Sequence, residues 1–126
     1  MHAIDTNVLV RLIVQDDQAQ FRAAEQFVSK GAWVSHLVLA ETLWVLDAVY
    51  GRSSEQVAAA AGEFLNHESL ALQDADVVAA ALETFLNRPK LKFSDCLIVE
   101  IARKAGHLPV GTFDRDLAKL GDVQRL

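Results

Sequence analysis

The chain has a single cysteine, Cys96, so no disulfide can form within it. Two prolines in 126 residues, together with 52% apolar residues, exclude a disordered, proline-rich chain. Cationic residues are the minority: 12 Lys and Arg stand against 17 Asp and Glu, for a net charge of −5. A general nucleic-acid-binding surface is usually basic, so the balance argues against one here. A nucleic-acid enzyme is not excluded, because acids gathered round a divalent cation lower the formal charge without repelling an anionic substrate once the metal is bound. No apolar run approaches the roughly 20 residues that cross a bilayer. No basic segment with a cleavable apolar stretch opens the chain. The four histidines, His2, His36, His67 and His107, lack paired metal-ligand spacing. The expectation is one domain over residues 1–126, large enough to bury a core, cytoplasmic and without a membrane partner.

What is present is organised around residues 1–16. Met1 to Ile4 is a short apolar run, Asp5, Thr6 and Asn7 are polar, and Val8 to Val14 is apolar again. That order reads as strand, turn, helix. Helical spacing recurs from Gln18 to Lys30, with Gly31 ending it. A second strand is expected over Ala32 to Ser35. Leu37 to Tyr50 is apolar almost all round and reads as a helix buried on most faces. Ser53 opens another helix, with Val57, Ala60, Ala61, Phe64 and Leu65 on its apolar side. Ser69 to Leu72 suits a third strand and Asp74 to Asn87 a further helix. Ser94 is the expected cap of a helix over Asp95 to Ala105, ended by Gly106. Leu108 to Thr112 reads as a strand, Leu117 to Leu120 as a short helical piece, and Val123 to Leu126 as an edge strand. The fold class is therefore α/β: a three-layer α/β/α arrangement with a central parallel sheet of four to five short strands.

Four acids occupy informative places. Asp5 follows the first strand, where open parallel sheets bind ligands, and Asp is also a common helix cap. Glu41 shares a helix face with Leu37, Trp44, Val45 and Ala48. Buried there unpaired it would cost several kcal/mol, so it is expected to be paired, protonated or metal-bound. Asp95 opens an apolar helix, where an acid also complements the helix dipole. Asp114 lies just past a strand end, a position that turn acids share, and Asp116 is next but one. In a parallel sheet all these element ends fall on one edge. Several carboxylates there cannot all ionise unaided. A divalent cation resolves the conflict, and an all-oxygen set suits Mg²⁺ or Mn²⁺ over Zn²⁺. Cys96 has no basic neighbour to activate a thiolate and reads as a core residue.

The Asp5-Thr6-Asn7 opening, Glu41 in its apolar helix, Ser94-Asp95 and Thr112-Phe113-Asp114-Arg115-Asp116 resemble, in order, the four acidic motifs of the PIN-domain family. The length, and the start directly on the first strand, are similar to the VapC toxins of prokaryotic toxin–antitoxin modules. The resemblance implies a metal-dependent endoribonuclease using Mg²⁺ or Mn²⁺, commonly a homodimer, neutralised by a cognate antitoxin protein. It carries catalytic roles over to Asp5, Glu41, Asp95 and Asp114, of which Asp5, Asp95 and Asp114 would hold metal. Thr6, Asn7 and Thr112 match its supporting polar positions, and Asp116 is the alternative to Asp114. Arg11, Arg88, Lys90, Lys92 and Arg115 are the candidate contacts to substrate phosphate, with an ordinary solvated loop as the competing reading of Arg88, Lys90 and Lys92.

Two other readings stay open. A Mg-binding phosphoryl-transfer domain of receiver or phosphatase type also sets acids at strand ends. Here Asp5 has no acidic neighbour, and Asn7 breaks an Asp-x-Asp pattern. A non-catalytic binding module on the PIN fold would not need all four acids. The surplus of apolar residues in Leu37 to Tyr50 and Val57 to Leu65 further suggests a homodimer contact and a groove for an antitoxin helix.

Overall fold

The computed structural model describes Met1 to Leu126, which divide into two compact units, Met1–Ala75 and Asp76–Leu126. The first unit alternates strands and helices: β1 (His2–Ala3), α1 (Thr6–Ile13), α2 (Gln18–Val28), β2 (Ala32–Val34), α3 (His36–Ala48), α4 (Ser54–Asn66) and β3 (Leu70–Leu72). All three strands are parallel, with β2 in the middle. Register pairs Ala3 with Trp33 and Val34 with Leu72, so the C-terminal ends share one edge. Asp5 leaves β1 at that edge, and Ser35, the cap of α3, leaves β2 there.

Each helix start in this unit has a chemical cause. The side chains of Asp5, Asp17 and Ser35 accept from the backbone N–H groups of Val8, Gln20 and Val38 at 3.1, 3.0 and 3.1 Å. Ser53 and Gln56 form a reciprocal capping box before α4. Such caps each stabilise by about 1 kcal/mol. Leu9 and Val10 of α1, Val28 of α2, Leu39 and Leu46 of α3 and Ala61 of α4 make the core around the buried Ala32 and Val34 of β2.

The second unit holds α5 (Ala75–Asn87, which begins on the last residue of the first unit), α6 (Phe93–Ala105), β4 (Val110–Thr112), a 3-10 turn (Leu117–Lys119) and β5 (Val123–Arg125). Strands β4 and β5 are parallel, with Val110 opposite Val123. Phe85 of α5 meets Phe93 of α6 edge to face, 5.7 Å between centroids. Arg103 of α6 binds Asp122 at 2.6 Å, tying the helix to the residue before β5.

All five expected strands form: β1, β2 and β3 pair in parallel as one set of three, and β4 and β5 pair in parallel as a set of two. Three local expectations fail. Ser94 does not cap α6: the helix starts at Phe93 with Lys92 at the cap position and no side-chain cap bond. Leu91 and Phe93 are buried, and that anchoring fixes the start in place of a hydroxyl. Asp74 has φ 42°, a left-handed conformation that Asp tolerates, so α5 begins one residue later. Helix α3 is not buried on most faces: Leu39, Thr42, Leu43 and Leu46 face the core, while Leu37, Trp44 and Val49 are 75, 60 and 65% exposed. Helix α4, by contrast, hides Val57, Ala58, Ala60, Ala61 and Phe64, so the expected apolar surplus is carried by α3 alone.

Candidate active site

Glu41 is exposed, against the expectation of a shielded carboxylate. The cause is α3 itself, whose Leu37–Glu41–Trp44 face is turned to solvent and not to the core. It is nevertheless held: the Thr6 hydroxyl donates a hydrogen bond to Glu41 Oε1. Asp5, Thr6, Asn7 and Glu41 line one cleft of about 420 Å³ together with Leu37 and Trp44. Asp5 caps α1 with Oδ1 only. Its Oδ2 stays available, so capping and ligand binding are not alternatives at this residue.

The second unit repeats this division of labour. Asp114, two residues past β4, accepts from the backbone N–H groups of Asp116 (2.8 Å) and Leu117 (3.1 Å), both on Oδ1. Its own N–H donates to Thr112 Oγ1 at 3.0 Å, which fixes the loop. Asp95 stands in the first turn of α6, partly buried. Burial first, and the charge of Asp114 second, push its carboxyl above the ordinary carboxylate range, with Lys92 opposing. Asp116 instead pairs with Lys119 at 3.4 Å.

The cationic candidates divide. Arg88, Lys90, Lys92 and Arg115 are exposed. Arg11 is already engaged, binding Asp16 at 2.6 Å and donating to the Tyr50 hydroxyl at 2.8 Å, a pin between α1 and the end of α3 that the sequence did not reveal. Cys96 is buried, and its thiol is pushed up to about 11 by burial and then by Asp95, which suits a core residue and not a nucleophile.

Within neither unit do three or more His, Cys, Asp or Glu side chains gather into a metal-binding group. The donor chemistry still fits a hard divalent cation: carboxylates with an unengaged oxygen at Asp5 and Asp114, and at Asp95 a carboxyl whose ionisation a nearby positive charge would relieve.

A family model, PIN domain, matches residues 3–123. The chain belongs to the PIN-domain family, and its fold is the PIN fold. No curated protein matches the sequence. Among solved structures the chain is similar to Mycobacterium tuberculosis VapC20, a Sarcin-Ricin loop cleaving toxin, at 23% identity over 98% of this chain and 97% of that one, with a TM-score of 0.45. No transmembrane-length apolar helix is present.

Proposed function

We propose that the chain, as one PIN domain over residues 1–126, is a toxin endoribonuclease that hydrolyses RNA phosphodiester bonds with Mg²⁺ or Mn²⁺ and is neutralised by a cognate antitoxin in the cytoplasm. The observation that carries this reading is the use of the acids. Asp5 and Asp114 each spend one oxygen on backbone N–H groups, keeping the other, and Asp95 is held in an environment that disfavours its charge. Asp5, Asp95 and Asp114 are the cation-holding residues. A bound cation would lower the pKa of water and neutralise charge building on the phosphate.

The chain's own part is positional. Thr6 fixes Glu41 through Oε1, leaving Oε2 to accept the proton of the attacking water as the water oxygen bonds to phosphorus and the ester P–O bond breaks. Asn7 and Thr112 support the two acid loops, and Asp114 is favoured over Asp116 because its charge is the one that reaches Asp95. Arg88, Lys90, Lys92 and Arg115 draw in substrate phosphate; Arg11 contributes less while bound to Asp16. Homodimerisation uses exposed apolar faces such as Ile98 and Ile101, one turn apart on α6.

The test is cleavage of labelled RNA by the purified chain. Activity should require Mg²⁺ or Mn²⁺, vanish in EDTA, return on adding metal, and be absent in Asp95→Asn. Cleavage that persists in EDTA in metal-free buffer would refute the mechanism.

A further inference from the structure

Asp5 and Asn7 border two clefts, not one. The first, of about 420 Å³, runs along α3 past Glu41 to Trp44. The second, of about 340 Å³, lies between α1 and α2 and is lined by Arg11, Gln20 and Phe27. Both fall in the range of small-ligand clefts, roughly 300–1,000 Å³. Each ends on a large exposed aromatic ring: Trp44 is 60% and Phe27 47% exposed. Trp44 stands one turn beyond Glu41, with Leu37 a turn before it, so the flat apolar surface is continuous with the carboxylates. Phe27 is steadied by His2, whose ring lies 5.1 Å away at 33°.

We propose that these two clefts seat the two nucleobases flanking the scissile phosphate of a single-stranded RNA, with Trp44 the stacking platform of one and Phe27 of the other. The proposal rests on the ribonuclease reading above and deepens it. The match is chemical. An unpaired nucleotide joins a flat apolar ring to an anionic backbone, and the clefts place flat rings either side of an acid proposed to hold a cation. A purely apolar protein segment laid in the same clefts would bury the carboxylates of Asp5 and Glu41 against hydrocarbon, which is costly. A duplex keeps its bases stacked inside and presents none to the rings. Both clefts share the Asn7 carboxamide, and the second adds that of Gln20, able to bond a base edge. In the first, Thr6 and Glu41 are bonded to each other, so sequence preference should be stronger on the Phe27 side.

The experiment measures cleavage of short single-stranded oligoribonucleotides by wild type, Trp44→Ala, Trp44→Phe and Phe27→Ala. Base–aromatic stacking contributes ~1–3 kcal/mol, roughly five- to 150-fold in affinity. Trp44→Ala should raise KM about tenfold or more with kcat within about threefold, and Trp44→Phe should restore most of the loss. Phe27→Ala should raise KM and flatten the preference for one flanking base. In the Asp95→Asn background, oligoribonucleotide should quench tryptophan emission, a duplex of equal length should not, and Trp44→Phe, which leaves Trp33, should lose the quenching. Unchanged KM in Trp44→Ala, equal losses in Trp44→Ala and Trp44→Phe, or quenching by duplex would each overturn the proposal. So would a Trp44 already shielded from iodide in the free protein, which would assign it to a contact between copies. Absence of any RNA cleavage by wild type would instead remove the ribonuclease reading itself.

Discussion

The acids of the first unit and those of the second sit under different electrostatic conditions. Asp5 and Glu41 are solvent-exposed and each is held by a local hydrogen bond, from Val8 N–H and from the Thr6 hydroxyl. Asp95 is part-buried, its carboxyl raised by burial and by Asp114. One pair is oriented at little cost; the other includes a charge the metal-free fold disfavours. That contrast teaches where substitution should trade activity against stability and where it should not.

The largest break should come from Asp95→Asn. Removing one cation-holding carboxylate forfeits several kcal/mol of transition-state stabilisation, so cleavage should fall about a thousandfold or more in a gel assay. The metal-free protein should at the same time melt slightly higher. The sign follows from the raised folded-state pKa. Asp95 adds stability below its unfolded value near 3.8, and that stability is lost as pH rises through the folded value. At pH 7 the charge is a burden, so Asn helps there, and the gain should vanish near pH 3. Because solvent screens a partly exposed group, the gain is ~0.5 kcal/mol at most, about 2 °C in Tm by differential scanning calorimetry. Asp5→Asn should abolish cleavage equally with no change in Tm, since Asn caps about as well as Asp. A stabilisation by Asp5→Asn matching that of Asp95→Asn would erase the contrast.

A smaller effect sharpens the first unit's side. Thr6→Val removes the donor that fixes Glu41. Loss of such a supporting contact typically costs about 10–100-fold in activity, here expected in kcat with little change in KM. In the second unit, Asp114→Ala leaves two turn N–H groups without their acceptor and should cost ~1–2 kcal/mol by urea melt. Asp116→Ala breaks only an exposed pair with Lys119 and should cost ~0.5 kcal/mol or less. The smallest effect concerns Cys96. With its thiol pushed up to about 11, alkylation at pH 8 should be slow in the native protein and fast in urea, and Cys96→Ala should still cleave.

Much of this was legible in the sequence, for identifiable reasons. Gly106, at φ 84°, ends α6 because only glycine takes that conformation freely, and the sequence marks it. Asp5 and Asp114 fall past strand ends because apolar runs stop there. Composition carries no direction. Helix α3 is apolar almost all round, so periodicity does not tell which face meets the core, and Glu41, expected in shelter, faces solvent. Ser94 reads as a cap because capping chemistry is local, whereas burial of Leu91 and Phe93 starts α6 earlier. The Arg11–Tyr50 bond and the Thr6–Glu41 bond join residues 39 and 35 positions apart, a separation no local pattern encodes.

The central claim is that Asp5 and Asp95 each hold divalent cation for RNA cleavage. Its most direct measurement is Mn²⁺ binding by calorimetry or electron paramagnetic resonance for wild type, Asp5→Asn and Asp95→Asn, with native fold checked by circular dichroism. The account predicts Mn²⁺ bound by the wild type, and binding weakened at least tenfold by either substitution alone, in step with lost cleavage. Unchanged Mn²⁺ affinity in either folded variant would contradict it.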